Sequence, residues 1–349
     1  MGVAFLLQGR NVPAARFRGF AIAEGLSKRG LETSTHAPVP SVYGDLPRGW
    51  HLSAVRPFFV PWVLFSRIAQ LRSLRDNAIV FIQRPLLELP LTFLESRIAK
   101  RHKTIFDFDD AIYLNWRGTQ KIRRLVDIAD HVIVGNDHLA EFTSVPAKTT
   151  VIPTAVDLDR YVASAPRNTR GPDVVVGWTG LSGNYRHLAT AVPAIARALR
   201  QSSARFLIIS DKPPPASFSD LRPEFVRWTA EREIPDLDRI DIGVMPLHDG
   251  ERERGKCAFK LIQYMALGKC GIASPVGANR QVVEDGQQGY LPATDADWTE
   301  RLIHLIENPD ARSRIGAAAR QRVRERYSLE AVLPKYEQII RRLAEGTHG

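Results

Sequence analysis

The chain has 349 residues, 44% hydrophobic and 25% charged, which is the balance of a soluble globular protein long enough for two cores. Its 48 basic and 38 acidic side chains leave a formal charge of +10, which points to an anionic partner of unspecified kind. Nowhere do 18 uncharged apolar residues run together, which excludes a spanning helix, and Cys257 and Cys270 lack the spacing of a zinc site or a disulfide framework.

Both cysteines read as buried thiols in a reducing, cytoplasmic setting. The first apolar run, VAFLLQG (3–9), has no basic stretch before it and no small-residue cleavage pattern after it, so it reads as a strand rather than a signal peptide. In the GRNVPAARFRG that follows, Arg16 and Arg18 begin the first helix, at a strand-to-helix junction of the kind that faces ligands in doubly wound sheets. Arg16 is the functional candidate there, against an exposed first-turn arginine as the plain alternative. Residues 56–75 combine Phe58, Phe59, Trp62 and Phe65 with Arg56, Arg67, Arg72 and Arg75. The expectation is aromatics packed inward with arginines outward; the alternative is peripheral contact with an anionic membrane at its inner face.

Further apolar runs at AIVFIQR (78–84), TIFDFDD (104–110) and HVIVGN (131–136) alternate with amphipathic segments, the signature of a parallel sheet with helices on both faces. Asp107, Asp109 and Asp110 end one such strand, and three carboxylates so close are costly unless paired, hydrogen-bonded or used in chemistry. A magnesium site would fit, but no second acidic cluster of suitable spacing accompanies it.

The pattern then breaks at SAPRNTRGPD (164–173) and restarts with VVVGWTG (174–180), ARFLIISD (204–211), DIGVMPL (241–247) and CGIAS (270–274). This predicts two doubly wound α/β domains, residues 1–155 and 156–328, facing across a cleft that holds the ligands, with a helix at about 329–349 packing back on the first domain. After Trp298 the chain reads as helical, and the arginine run from Arg312 to Arg326 reads as a solvated face.

The most informative stretch is residues 241–291. A helix over 256–267, stopped by Gly268, puts Lys256, Lys260 and Gln263 at i, i+4 and i+7 on one narrow polar face beside the helix start. Two ammonium groups there suit a diphosphate; the plain alternative is solvation of a sheet-covering helix.

That stretch, with GWTG (177–180), FDFDDAIY (106–113) and VIPTAVDLDRY (151–161), resembles the family 4 glycosyltransferases of the GT-B fold over nearly the whole chain. The resemblance implies transfer of a sugar from a nucleotide-sugar with retention of configuration, no cofactor and no obligatory metal. It places the nucleotide on the carboxy-terminal domain and the acceptor, a glycan, lipid-linked or small molecule, on the amino-terminal one. Most members carry a Glu at each end of the donor loop, where this chain has Gly255 and Gln263. Gln263 would share the ribose contact through its carbonyl oxygen, while Asp249, Glu251 or Glu253 would replace the first Glu. A basic pair usual after the first strands of that domain is absent from GWTGLSGNYRHL, so Lys256 and Lys260 would carry the diphosphate, with Arg186 next.

Donors aimed at the growing phosphate charge are usually the largest catalytic factor, and the expected set is Lys256, Lys260 and the backbone of Gly180, Ser182 and Asn184 in TGLSGN. Backbone groups near Trp228 and Thr229 would read the base. Asp109 or Asp110 is assigned to acceptor activation, against helix capping as the plain alternative. The rival function, kept alive by Gly255, is a glycosyltransferase-like protein that binds nucleotide-sugars or a protein partner without catalysis. No nucleic-acid-binding signature and no dinucleotide fingerprint is present.

Overall fold

A computed structural model describes residues 2–38, 52–75, 78–87, 89, 91–115, 118–162, 169 and 171–346, with the backbone path alone for 52–60. The chain divides into two units, Met1–Ala155 with Leu329–Gly349, and Val156–Ser328. Most of the expected linker, 163–168 and 170, lies outside the described residues, as do the side chains of Arg56, Phe58 and Phe59.

In the first unit the strands are β1 Gly2–Leu6, β2 Glu32–His36, β3 Ile79–Gln83, β4 Thr104–Phe108, β5 His131–Val134 and β6 Thr149–Val151. They pair in parallel in the order β2-β1-β3-β4-β5-β6. Alternation sends Val3, Phe5, Ile79, Phe81, Ile105 and Ile133 to one face. The helix Leu329–Glu345 lies on that face through Val332, Leu333, Tyr336, Ile339 and Ile340, a helical stripe whose burial contributes roughly 1.5–3 kcal/mol per side chain. Its approach is close because Gly25 has no side chain: a β-carbon there would lie 2.6 Å from Leu333 Cδ1.

In the second unit the strands are β7 Val175–Thr179, β8 Arg205–Ser210, β9 Glu224–Arg227, β10 Ile242–Met245, β11 Cys270–Ala273 and β12 Gly289–Tyr290. All pairings are parallel, in the order β12-β11-β10-β7-β8-β9. Val176, Trp178, Ile242 and Val244 pack beneath the helices Val192–Ser202 and Asp295–Glu307 on one face. Val175 and Met245 pack with the helices Phe259–Ala266 and Pro309–Arg326 on the other. The chain runs outward from β7 to β9 and returns to place β10 on β7's opposite side. The carboxyl ends of β7 and β10 therefore form the switch point at which doubly wound sheets bind ligands.

β2, β9 and β12 escaped the sequence reading because ETSTH and EFVR are short, half-exposed strands with polar residues and β12 has two residues. The arginine run is not simply a solvated face. Arg312 is buried and donates to the carbonyls of Leu305, Ile306 and Thr169, and Arg320 fastens the carbonyls of Tyr161 and Ala266.

The 56–75 expectation holds for Arg72 and Arg75, which are exposed, but not for the described aromatics or Arg67. Trp62 and Phe65 are 49% and 66% exposed, whereas Arg67 is buried and donates to Leu7 O at 2.6 Å, closing the carboxyl end of β1. Among the described residues no helix is long and apolar enough to cross a membrane.

Candidate functional site

The helix expected over 256–267 begins only at Phe259. Ala258 sits in the left-handed region at φ 54°, which a right-handed helix cannot contain, so Lys256 belongs to the loop between the turn Glu251–Arg254 and this helix. Lys256 and Lys260 therefore share no helical face. They are nonetheless close enough in space for the charge of Lys256 to act on Lys260.

Lys260 is fixed by its own helix. Leu261, Ile262, Tyr264 and Met265 are buried beneath the helix, and the Tyr264 hydroxyl accepts the Thr179 N–H at 3.0 Å, tying the helix to the end of β7. The Lys260 Nζ lies 5.2 Å from the centre of the Trp178 ring. A β-carbon on Gly180 would lie 2.7 Å from Lys260 Cε, so that glycine makes room for the lysine stem. Among the described residues the Lys260 ammonium has a cation–π contact but no hydrogen bond or ion pair. Burial, and then the charge of Lys256, bring its pKa down to about 7.

A second group converges on the same place from the turn after β7 and the loop after β10. Arg186 donates from Nη2 to Glu253 Oε1 at 3.2 Å and from Nε to His187 Nε2 at 3.4 Å. His248 donates to the Arg186 carbonyl at 3.0 Å, and its ring meets the His187 ring edge-on at 5.3 Å. Burial first, then the charges of Lys256, Arg186, His248 and Lys260, hold the His187 pKa at about 3. The cluster thus brings together Arg186, Lys256 and Lys260, with Glu253 paired to Arg186.

Of the three acids open as replacements for the missing first Glu, only Glu253 is buried in this cluster. Asp249 makes an exposed pair with Arg254 at 2.7 Å, and Glu251 is exposed in the first turn of its helix.

Other expected residues are placed differently. Gln263 is buried and donates to the Tyr161 hydroxyl at 2.8 Å, so its amide braces the core instead of sharing the lysine face. In the TGLSGN turn three of the amides expected to face phosphate already have partners. The Gly180 amide donates to Ile209 O, the Ser182 amide to Asp211 Oδ1 and the Asn184 amide to Leu181 O, so an internal carboxylate already holds the central one. Trp228 and Thr229 lie past the carboxyl end of the edge strand β9, where the Trp228 amide continues the pairing to Ser210 O and Thr229 Oγ1 accepts from Arg232.

In the first unit the aspartates find separate partners. Asp107 is fully buried and paired with Arg18, which also donates to Ile152 O at 2.8 Å. Burial opposes the charge on Arg18, but Asp107 holds the guanidinium protonated well above its usual range. Arg18 is thus a core residue and not a ligand of the substrate. Asp109 accepts two hydrogen bonds from Arg84, at 3.1 and 2.6 Å. Burial would raise its pKa, but Arg84 and Arg18 prevail and hold it below the usual carboxylate range. Asp110 Oδ1 accepts the Ala111 amide at 2.9 Å, just ahead of the turn Ile112–Leu114, which has no side-chain cap. Arg16 opens a π-helical turn, Arg16–Phe20, with its guanidinium 5.0 Å from the Phe17 ring centre.

Sequence reading did not single out His187 or His248. His187 follows the turn that contains Gly183, and His248 precedes the one that contains Gly250, but nothing in the spacing couples the two histidines. Only the return of β10 beside β7 does so.

Residues 174–308, from the start of β7 through the helix Asp295–Glu307, match the family model described as Glycosyl transferases group 1. Sucrose-phosphate synthase of Thermosynechococcus elongatus has a similar structure, with TM-score 0.71 and 14% identity over 99% of this chain and 100% of that one. HepE of Anabaena, solved with UDP and glucose, gives TM-score 0.66 and 14% identity over 98% and 100%. The chain has the GT-B fold of two Rossmann-like units, and the match to the family model falls within its second unit. An uncharacterised glycosyltransferase of Methanocaldococcus jannaschii is 29% identical over 115 residues, 32% of this chain and 28% of that relative. The match therefore spans under a third of that relative's length.

Proposed function

We propose that the chain is a glycosyltransferase that moves a sugar from a nucleotide-sugar to a hydroxyl-bearing acceptor, with retention of configuration and without a metal. The observation that carries this reading is Lys260, an ammonium with no hydrogen bond or ion pair among the described residues, lying beside Gly180 at the switch point of the matched second unit. A half-buried cation beside two more is unfavourable until an anion joins it. A diphosphate meets that need. HepE of Anabaena, whose solved complex contains UDP, favours a uridine nucleotide as the first to try.

In the reaction the bond between the anomeric carbon and the diphosphate oxygen breaks, and its electron pair stays on the departing diphosphate. Lys260, Lys256 and Arg186 are already in place to neutralise that charge, which lowers the barrier without reorganisation during the step. The acceptor oxygen bonds to the anomeric carbon and gives up its proton. Asp110 suits that proton better than Asp109, whose carboxylate is kept weakly basic by Arg84. Arg16 serves the sugar or phosphate side, and backbone groups at Trp228 and Thr229 read the base. The setting is cytosolic, where the buried Cys257 and Cys270 remain reduced thiols. A lipid-linked acceptor would suit the exposed Trp62 and Phe65, which offer peripheral membrane contact.

A second reading, a binding protein without catalysis, is favoured by Gly255, which leaves the usual acid position without a side chain. The two are separated by incubating the purified protein with UDP-, GDP- and ADP-sugars, with and without sugar and lipid-linked acceptors. Acceptor-dependent release of the nucleoside diphosphate supports the enzyme. Donor binding with no release under any acceptor supports the second reading, and no binding at all overturns both.

A further inference from the structure

His187 is 2% exposed, yet among the described residues its Nδ1 has no hydrogen-bond partner. Its other nitrogen decides what Nδ1 must be. Glu253 Oε1 and Arg186 Nε both lie 3.4 Å from His187 Nε2, but only Arg186 makes a hydrogen bond to it; the permanently protonated guanidinium edge presents Nε–H to Nε2 and Nη2–H to that Glu253 oxygen at 3.2 Å, so both are acceptors. A neutral imidazole that accepts at Nε2 carries its proton on Nδ1. The imidazole stays neutral at any ordinary pH, because burial and the surrounding cations oppose a further positive charge. The result is a buried N–H donor with no acceptor among the described residues, a condition rare in native proteins.

Its electrostatic neighbours say what kind of acceptor is missing. Lys256, Lys260 and Arg186 all act on His187, and the edge-on ring of His248 covers one side. Among three cations an uncharged donor adds a hydrogen bond without adding repulsion, which a fourth cation could not do. The acceptor that such a group favours is an oxygen of a polyanion.

We infer that His187 is a further donor-binding residue, its Nδ1–H donating to a phosphate oxygen of the bound diphosphate, with Arg186 and Glu253 fixing its tautomer. This rests on the donor site proposed above and adds to it a neutral contact from the turn after β7. Arg186 then has two tasks, neutralising charge and holding the imidazole, and Glu253 is a positioning residue.

The test uses the full chain, with inorganic pyrophosphate and UDP, GDP and ADP as probes, free of divalent metal. His187→Phe keeps a flat ring but removes the donor, and His187→Asn restores an N–H near the Nδ1 position. The expected result is about tenfold weaker pyrophosphate binding for the Phe variant, with the Asn variant within about threefold of the parent. Nitrogen-15 spectra of the labelled parent should show His187 protonated at Nδ1, with that resonance moving when pyrophosphate is added.

Equal binding by the parent and His187→Phe, while Lys260→Met binds weakly, overturns this inference and leaves the donor site standing. An Nε2–H tautomer overturns it whatever the variants do, including a Phe variant that fails to fold. If the parent binds neither pyrophosphate nor any of the three nucleotides, the donor site itself falls and this inference with it.

Discussion

Lys260 and Gly180 are so close that a single added carbon on the glycine would sit 2.7 Å from the lysine Cε and 2.8 Å from the Trp178 ring. The lysine's position across the end of β7 is therefore set by the absence of a side chain much earlier in the sequence.

Gly180→Ala should move the Lys260 stem without emptying the core. The expected outcome is donor binding weakened by about tenfold, about 1.4 kcal/mol, with a much smaller change in the denaturation midpoint. Titration calorimetry with UDP beside a urea melt checks it. Unchanged affinity would show that Lys260 reaches its ligand by another path.

Lys260→Met should stabilise the free protein and remove the stabilisation by ligand. The substitution keeps the length of the side chain and deletes a charge that burial and Lys256 both oppose. A melting curve should rise without UDP, and its shift on adding UDP should vanish, since only a binder of the native state raises the melting point. A fall in the free melting point would mean that the ammonium is satisfied within the fold.

Donor binding should take up a proton above neutrality. Lys260 titrates near 7 when free, and an adjacent diphosphate favours its charged form, so binding at pH 8 protonates it and affinity falls as pH rises through 7. For folding the sign is opposite. Between about 7 and the ordinary lysine value the unfolded chain holds the extra proton, so this group's penalty on stability grows as pH falls across that window. Calorimetry at pH 8 in two buffers of different ionisation enthalpy should give heats that differ by roughly one proton.

The three aspartates should separate cleanly. Asp107→Ala strands Arg18 as an unpaired buried charge, and the expected loss is about 3–5 kcal/mol of stability in a urea melt. Asp110→Asn keeps the acceptor for the Ala111 amide and should leave the melt within about 0.5 kcal/mol while lowering turnover at least a hundredfold. Asp109→Asn should lose part of its Arg84 pairing and fall between the two in stability. Full turnover by the Asp110 variant would move acceptor activation to another group.

Much of the fold was legible because buried parallel strands announce themselves: VAFLL, IVFIQ and HVIV are apolar on both faces, and each became a central strand. The edge strands were not, since ETSTH and EFVR have an exposed face and obtain their strand identity from pairing, as in the register of Gly2 with Glu32. In the site, the sequence brought forward Lys256, Lys260, Asp109 and Asp110 as chemical candidates. It misjudged their setting wherever a helical period was assumed across a backbone break, as at Ala258.

The sequence by itself determined the two strand series, the group of lysines and acids after β10, and the surplus of positive charge, because periodicity and composition are local quantities. Tertiary structure alone decided which charges are spent within the fold and which remain for a ligand. Arg18 is neutralised by Asp107 across 89 positions and Arg84 by Asp109 across 25, while Lys260 meets an aromatic face and, among the described residues, no carboxylate. Pairing depends on distance in space, and distance in space is settled by the order in which strands lie in a sheet.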